Sequence, residues 1–199
     1  MDETWRIRRA TQADRAALSM ICLKTADNGA DASALYSDPD YPALIWALPY
    51  LDFAPDFAFV LEADGDVLGY VIAAPDTAAF EARLAEDWWP KLQAIYGARR
   101  PQAPLDGMVL GLIASPPKTP PVRLADYPAH LHIDLLPPAQ GRGWGRRMMA
   151  RLFDALRQAG IAGVHLGVAK GNVRAQDFYA RLGFEEIGRN GAIWLGMRF

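Results

Sequence analysis

Three titratable side chains alternate with apolar residues in one short stretch of the chain. His130, His132 and Asp134 are each separated by a single aliphatic residue. Successive side chains of a β-strand point to opposite faces, so all three would lie on one face, with ~7 Å between neighbours. A histidine, or a carboxylate whose pKa is raised, can accept a proton from an attacking nucleophile. The stretch therefore presents three candidate general bases.

A glycine-rich turn follows this stretch and leads directly into a helical pattern. Its residues are Gln140, Gly141, Arg142, Gly143, Trp144, Gly145 and Arg146. Glycines let backbone N–H groups converge on an anion, and a helix N-terminus presents a positive dipole end to the same place. The arginines add donors suited to phosphate oxygens. A tight turn that packs a helix on a strand would have the same composition, so both interpretations stay open. The spacing is that of neither the P-loop nor the Rossmann dinucleotide turn.

Hydrophobic periodicity predicts the elements that must position these residues. The expected strands are Trp5–Arg9, Phe57–Ala63, Val67–Ala74, Met108–Ala114, His130–Leu136, Gly163–Val168, Phe184–Ile187 and Ala192–Met197. The expected helices begin at Thr11, span Ala43–Leu51, run from Asp76 or Thr77 to Ile95 with a break at Pro90, and span Gly145–Ala159 and Val173–Leu182. Alternating strands and helices predict an α/β layered fold. The proline-rich segment Arg100–Pro128 is interpreted as a long, partly rigid connection within one domain, 1–199.

Composition excludes several classes of protein. The chain has 199 residues, of which 51% are hydrophobic and 22% are charged, as expected of a globular protein. Its apolar runs are too short to cross a bilayer, and Met1–Ala10 has no apolar region typical of a signal peptide. One cysteine, Cys22, excludes an internal disulfide and fits a reducing cytoplasm. A net charge of −2 and the absence of a basic stripe argue against nucleic-acid and membrane partners.

Two motifs in order resemble the acyl-CoA signature of the GNAT family of N-acetyltransferases. The first is Gln-x-x-Gly-x-Gly, filled by Gln140, Gly143 and Gly145. The second lies one helix and one strand later, in the segment 172–184 that includes Asn172, Ala175, Phe178 and Tyr179. The resemblance covers roughly Leu131–Phe184. It implies the GNAT fold, an α/β (α+β) architecture in which a central, mixed, mostly antiparallel twisted sheet with splayed strands is flanked by helices.

The N-terminal half resembles a narrower group within this family. Phe59–Glu62 and Gly69-Tyr70, followed by Trp88-Trp89-Pro90, are similar to the acetyltransferase-like C-terminal domains of O-GlcNAcases and their bacterial relatives. The chain is too short to hold a glycosidase domain as well.

The GNAT resemblance implies acetyl-CoA as cofactor. Backbone groups of Ile133 and Leu135 would meet the pantetheine arm, because in this family the strand before the turn splays from the next strand, here Gly163–Val168. Main-chain N–H groups from Gly141 to Arg146 would meet the pyrophosphate. The implied cofactor-binding residues are Ile133, Leu135, Gln140, Gly141, Arg142, Gly143, Trp144, Gly145, Arg146, Asn172, Ala175, Phe178 and Tyr179. Asn172 is also a good residue type for a helix N-cap.

The same resemblance assigns catalytic roles. Tyr179 occupies the family position whose hydroxyl faces the cofactor sulfur, where a phenol can protonate the leaving thiolate. Asp134 ranks first as general base, because it is nearest the turn and coincides with an aspartate of the O-GlcNAcase-type domain. His132 ranks second and His130 third. The alternatives are a packed aromatic at Tyr179, a buried Asp134 that bonds backbone or histidine, and a His-x-His-x-Asp metal site, which no further ligand cluster supports.

The expected function is acetyl transfer from acetyl-CoA to an amine acceptor, a small molecule or a protein lysine. Aromatic and acidic residues in the segments 36–56 and 76–128 could bind a cationic amine or could simply form core and surface. A module that binds acetyl-CoA without turnover is the alternative function, and a protein-interaction scaffold is the third. The sequence leaves open whether the chain forms a homodimer.

Overall fold

The computed structural model describes residues 5–199, apart from the side chain of Val122. The segment Met1–Ala10, in which no signal peptide is expected, therefore lies partly outside the described residues. The strands are β1 (Trp5–Arg9), β2 (Ala58–Ala63), β3 (Asp66–Ala74), β4 (Ala129–Leu135), β5 (Gly163–Val168), β6 (Glu185–Asn190) and β7 (Ala192–Arg198). The helices are α1 (Arg15–Thr25), α2 (Tyr41–Trp46), α3 (Leu48–Phe53), α4 (Thr77–Asp87), α5 (Trp89–Tyr96), α6 (Asp106–Ala114), α7 (Pro121–Asp126), α8 (Trp144–Gln158) and α9 (Val173–Arg181).

These strands form a mixed sheet in the order β1-β2-β3-β4-β5-β7-β6. Every neighbouring pair is antiparallel except β4 and β5, which are parallel. The expected α/β fold with a mostly antiparallel sheet flanked by helices is thus confirmed.

The two parallel strands separate soon after they begin. Their register pairs only Ala129 with Val164 and His130 with His165 within the described chain, although β4 continues to Leu135. The sheet therefore opens between β4 and β5 towards the C-terminal end of β4, as the expected splay requires.

Helices cover both faces of the sheet because the strand side chains alternate between two apolar clusters. On one face, Tyr70 and Ile72 of β3 pack with residues of α1 to α6. On the other face, Val71 and Ala73 pack with α8 and α9. The site residues of β4 are divided between the same two layers.

Local turn chemistry explains the hairpin between β2 and β3. Asp64 and Gly65 have φ values of 51° and 94°. This left-handed backbone favours Asp-Gly and matches the twist of the flanking strands. The predicted hairpin is confirmed.

The structure corrects one predicted strand and divides one predicted helix. Met108–Ala114 is not a strand but belongs to α6. Its apolar run has no clear period, yet only Val109 and Ile113, one helical turn apart, are buried, whereas Met108 is 45% exposed. The Asp106 carboxylate accepts hydrogen bonds from the amides of Ser37, Gln102 and Ala103 and so anchors the start of this helix. The predicted helix Ala43–Leu51 is instead two short helices, α2 and α3.

Candidate active site

Backbone groups of β4 line the opening between β4 and β5. The amide of Leu136 donates to the carbonyl oxygen of Leu68 in β3 at 2.9 Å. Backbone direction alternates along a strand, so Ile133 and Leu135 turn their N–H and C=O groups away from β3, towards the opening. The structure thus brings both residues to the place where the resemblance puts an extended, amide-containing ligand.

The turn after β4 has the left-handed backbone for which glycine is suited. Gly141 and Gly143 have φ values of 73° and 79°, and a Cβ on either would have no atom within 4 Å. Gly143 is the N-cap of α8, a helix of 15 residues. The glycines therefore shape an open turn at a helix N-terminus, where amides and dipole favour an anion.

Gly145 is glycine for a different reason. It lies in the first turn of α8, and a Cβ there would come within 3.2 Å of the Phe178 ring and 3.4 Å of the Leu135 side chain. Phe178 of α9 therefore packs directly on the start of α8. The structure gives Gly145 a packing role, whereas the two preceding glycines shape the turn.

Gln140 ties the turn to the elements on both sides of the opening. Its Nε2 donates to the carbonyl of Leu135 at 2.6 Å, and its Oε1 accepts from Arg174 of α9 at 2.7 Å. The carbonyl of Leu135, although directed to the opening, is thus engaged by a side chain of the chain itself.

Aromatic and cationic side chains flank the turn. Trp144 stacks on Trp5 of β1 with ring centroids 5.3 Å apart. The Arg142 guanidinium lies 5.4 Å from the Trp5 ring, and the Arg147 guanidinium lies 4.6 Å from the Trp144 ring. Trp144 therefore packs against β1, while Arg142 and Arg146 are exposed beside the turn.

The N-terminus of α9 is capped by Asn172. Its Oδ1 accepts from the amide of Ala175 at 3.0 Å, so the N-cap interpretation is confirmed. Two turns into the helix, Tyr179 is 7% exposed and contacts the rings of Phe178 and Phe184 edge-on. Burial, and then the charge of Asp134, raises the pKa of Tyr179. Tyr179 is accordingly a protonated phenol at neutral pH and lies within electrostatic reach of Asp134.

The three titratable residues of β4 share one face, as the alternation predicts. They lie opposite Ala74, Ile72 and Tyr70 in the β3–β4 register, on the face covered by α1 to α6. The Tyr70 hydroxyl donates to the carboxylate of Asp134. Burial raises the pKa of Asp134, and this hydrogen bond offsets part of the shift.

Tyr50 of α3 joins the two histidines. Its hydroxyl oxygen lies 2.7 Å from Nε2 of His130 and 3.1 Å from Nε2 of His132. Desolvation lowers the pKa of His130 and brings that of His132 to about 4, so both rings are neutral at neutral pH. The sequence places Tyr50 only among aromatics of a proline-rich segment, and no spacing signal connects it with histidines 80 and 82 positions away.

The aromatic and acidic residues expected around an acceptor are mostly engaged in packing and ion pairs. Tyr41, Trp88 and Trp89 are buried in the apolar cluster of the α1–α6 face. Asp38 pairs with Arg99 at 2.7 Å, and Asp52 pairs with Arg15 at 2.8 Å. Their arrangement favours the core and surface interpretation over a dedicated amine pocket.

Within residues 5–199, no group of three or more His, Cys, Asp or Glu side chains is arranged to hold a metal ion. No helix among those residues is both long and apolar enough to span a membrane.

A sheet that opens between two parallel strands above a glycine turn defines an acyltransferase-like class of α/β protein. The model of the Acetyltransferase (GNAT) family matches residues 25–184. The chain belongs to the acetyltransferase (GNAT) family.

Individual proteins show the same similarity. The crystal structure of SsHAT superposes with a TM-score of 0.90 at 38% identity, over 98% of both chains. Protein O-GlcNAcase of Rattus norvegicus is 25% identical over 181 residues, which are 88% of this chain but 19% of that protein. The chain thus spans about a fifth of the length of the curated relatives it matches. The structure of yncA from Salmonella typhimurium, which contains its cofactor acetyl-CoA, has a TM-score of 0.55 at 17% identity, covering 98% of this chain and 94% of that one.

Proposed function

We propose that the protein is an acetyl-CoA-dependent N-acetyltransferase that acetylates a primary amine by direct attack in a ternary complex. The observation that carries the proposal is the path of β4. The strand leaves β5 after His130 and runs into the open turn at the N-terminus of α8. An extended ligand with amide groups could add to the free side of β4 as a strand would, with its anionic end at the turn.

The residues around the opening fit acetyl-CoA. The left-handed backbone at Gly141 and Gly143 keeps side chains away from the turn, so a pyrophosphate can approach its amides. Arg142 and Arg146 supply positive charge, and Gln140 holds the turn to β4 and α9. Acetyl-CoA, when bound, supplies an activated acetyl thioester.

Side chains of the protein then carry out two proton transfers. Asp134 or His132 accepts the proton that the amine nitrogen loses as it bonds to the acetyl carbon. Tyr179 donates its phenolic proton to the sulfur as the carbon–sulfur bond breaks, and solvent restores that proton afterwards. Its raised pKa keeps the phenol protonated before the step. The acceptor is a primary amine of a small molecule or a protein lysine.

Calorimetric titration with acetyl-CoA tests the proposal, and two glycines provide a matched pair of variants. Gly143→Ala forces a Cβ onto a φ of 79° at the turn, and Gly160→Ala does the same at a φ of 73° beyond the other end of α8. Both changes impose a similar backbone strain of about 1–2 kcal/mol. We expect acetyl-CoA binding to weaken at least about tenfold in Gly143→Ala only, which is about 1.4 kcal/mol of binding free energy. The proposal would be refuted if the wild-type protein did not bind acetyl-CoA at millimolar concentration, or if both variants lost acetyl-CoA affinity equally.

The second candidate function is a module that binds acetyl-CoA without turnover. The observation that favours it is the engagement of Asp134 by Tyr70, which removes one carboxylate oxygen from the role of base. Thiol release in the presence of a panel of primary amines and lysine-containing proteins separates the two functions. Binding with no release across the panel supports the module, whereas release with any amine excludes it.

A further inference from the structure

A continuous chain of hydrogen bonds links a backbone carbonyl to His132. The Thr77 hydroxyl lies 2.7 Å from the carbonyl oxygen of Pro128 and 2.7 Å from Nδ1 of His130. Nε2 of His130 lies 2.7 Å from the Tyr50 hydroxyl, which lies 3.1 Å from Nε2 of His132. Thr77 and Tyr50 are 1% and 4% exposed, so solvent has little access to the links between the rings.

The Pro128 carbonyl, at the start of this chain of hydrogen bonds, fixes the direction of every hydrogen bond in it. A carbonyl oxygen can only accept, so the single hydroxyl proton of Thr77 points to Pro128. Thr77 must then accept from His130, whose proton therefore sits on Nδ1. Because His130 is neutral, its Nε2 carries a lone pair and accepts the proton of Tyr50.

The last link follows in the same way. Tyr50 donates its only hydroxyl proton to the hydrogen bond with His130, so its oxygen must accept a hydrogen bond from His132. The proton of His132 therefore sits on Nε2, and its Nδ1 carries a lone pair. His132 is partly exposed on the face shared with Asp134. Burial is the main cause that lowers its pKa, and His165 of β5 adds a smaller contribution.

We propose that Thr77 and Tyr50 are positioning residues that fix the tautomer of His132, so that Nδ1 of His132 is the atom that accepts the proton of the amine. This inference rests on the proposed function. In the step, the N–H bond of the amine breaks and an N–H bond forms at Nδ1 of His132, while the other ring proton stays on Nε2 of His132, hydrogen-bonded to the Tyr50 oxygen. The resulting imidazolium returns the proton to solvent after the product leaves.

Nitrogen NMR of the protein labelled with ¹⁵N-histidine tests the assignment without any turnover. The chain has three histidines. His165 donates from Nδ1 to the carbonyl of Tyr127 at 2.8 Å, so it should share the tautomer of His130. Near neutral pH we expect two rings protonated on Nδ1 and one, His132, protonated on Nε2. Three identical tautomers, or a proton on Nδ1 of His132, would overturn the proposal.

Thr77→Val tests whether this chain of hydrogen bonds sets the tautomer of His132, and Thr77→Ser is the matched control. Without the hydroxyl, an N–H on Nδ1 of His130 has no acceptor, so His130 should change to the Nε2 tautomer. Tyr50 would then donate to His132, whose proton should move to Nδ1. We expect this switch in the valine variant and the wild-type pattern in the serine variant. An unchanged His132 in a folded valine variant refutes the positioning role.

Kinetics with acetyl-CoA and an amine substrate give a separate readout. The valine variant should lose about 100-fold in kcat, as expected for a misplaced base, with unchanged acetyl-CoA affinity. Wild-type kcat in a valine variant that shows the switch would remove His132 from the proton transfer. If the wild-type protein has no turnover, the proposed function fails while the tautomer pattern is still measured, so the two failures are distinguishable. The wild-type pattern decides the assignment even if the valine variant does not fold.

Discussion

Replacing His165 by Asn should make folding less sensitive to acid. His165 is 2% exposed, and burial is the main cause that lowers its pKa to about 4. In the unfolded chain a histidine has a pKa of ~6.5. As pH falls, the unfolded state binds the proton first, so the stability present above pH ~6.5 is lost progressively towards pH ~4.

The size of this effect follows from the two pKa values. At about pH 5 the unfolded side chain is nearly all protonated while the native one is mostly neutral, which costs about 2 kcal/mol of unfolding free energy relative to neutral pH. Asn cannot titrate, yet its side-chain N–H can still donate to the carbonyl of Tyr127, the partner of His165 in the native protein.

Urea unfolding of both proteins at about pH 7.5 and about pH 5 measures the difference. The wild-type protein should lose about 2 kcal/mol more than the variant between the two pH values. The cost of the substitution itself cancels, because only the change with pH is compared. Asp134, whose raised pKa acts in the opposite direction, is present in both proteins and cancels as well. An equal loss in both proteins would refute the link between burial and pKa.

Three further substitutions probe the proposed site and its support. Tyr179→Phe should lower kcat about 100-fold with little change in acetyl-CoA affinity in calorimetry, since it removes the proposed acid. Tyr70→Phe removes the hydrogen bond that lowers the pKa of Asp134, so an acid limb of the pH–rate profile due to Asp134 should move to higher pH. Gly145→Ala brings a Cβ within 3.2 Å of Phe178 and should lower Tm, as calorimetric unfolding would show; an unchanged Tm contradicts the packing role.

The features predicted well from sequence are those whose causes lie within a few residues. The Asp64-Gly65 turn fixes its hairpin through its own φ preference. The turn around Gly143 precedes α8 because glycine tolerates the left-handed backbone at this N-cap. The common face of His132 and Asp134 follows from strand alternation alone.

The features that were not predicted correctly depend on packing between distant segments. Nothing in Met108–Ala114 distinguishes a strand from a helix, since the run is apolar throughout. Besides its local partners, Asp106 is held by Ser37, 69 positions away, a contact that the sequence does not signal. Gly145 belongs to the predicted motif, but its reason for being glycine is the ring of Phe178 on another helix.

The same distinction divides the candidate site itself. The residues proposed to hold acetyl-CoA come from β4, the turn, α8 and α9, which follow one another along the chain with only β5 between the two helices, and they are encoded as a motif. The protonation states on the other face are set by Tyr50 of α3 and Thr77 of α4, which the fold brings to β4 from 80 and 53 positions away. A sequence can therefore name His130 and His132 as titratable groups, but it cannot say which nitrogen carries the proton. That property belongs to the tertiary contacts, because a buried hydrogen-bond chain has a direction only when its first donor is fixed.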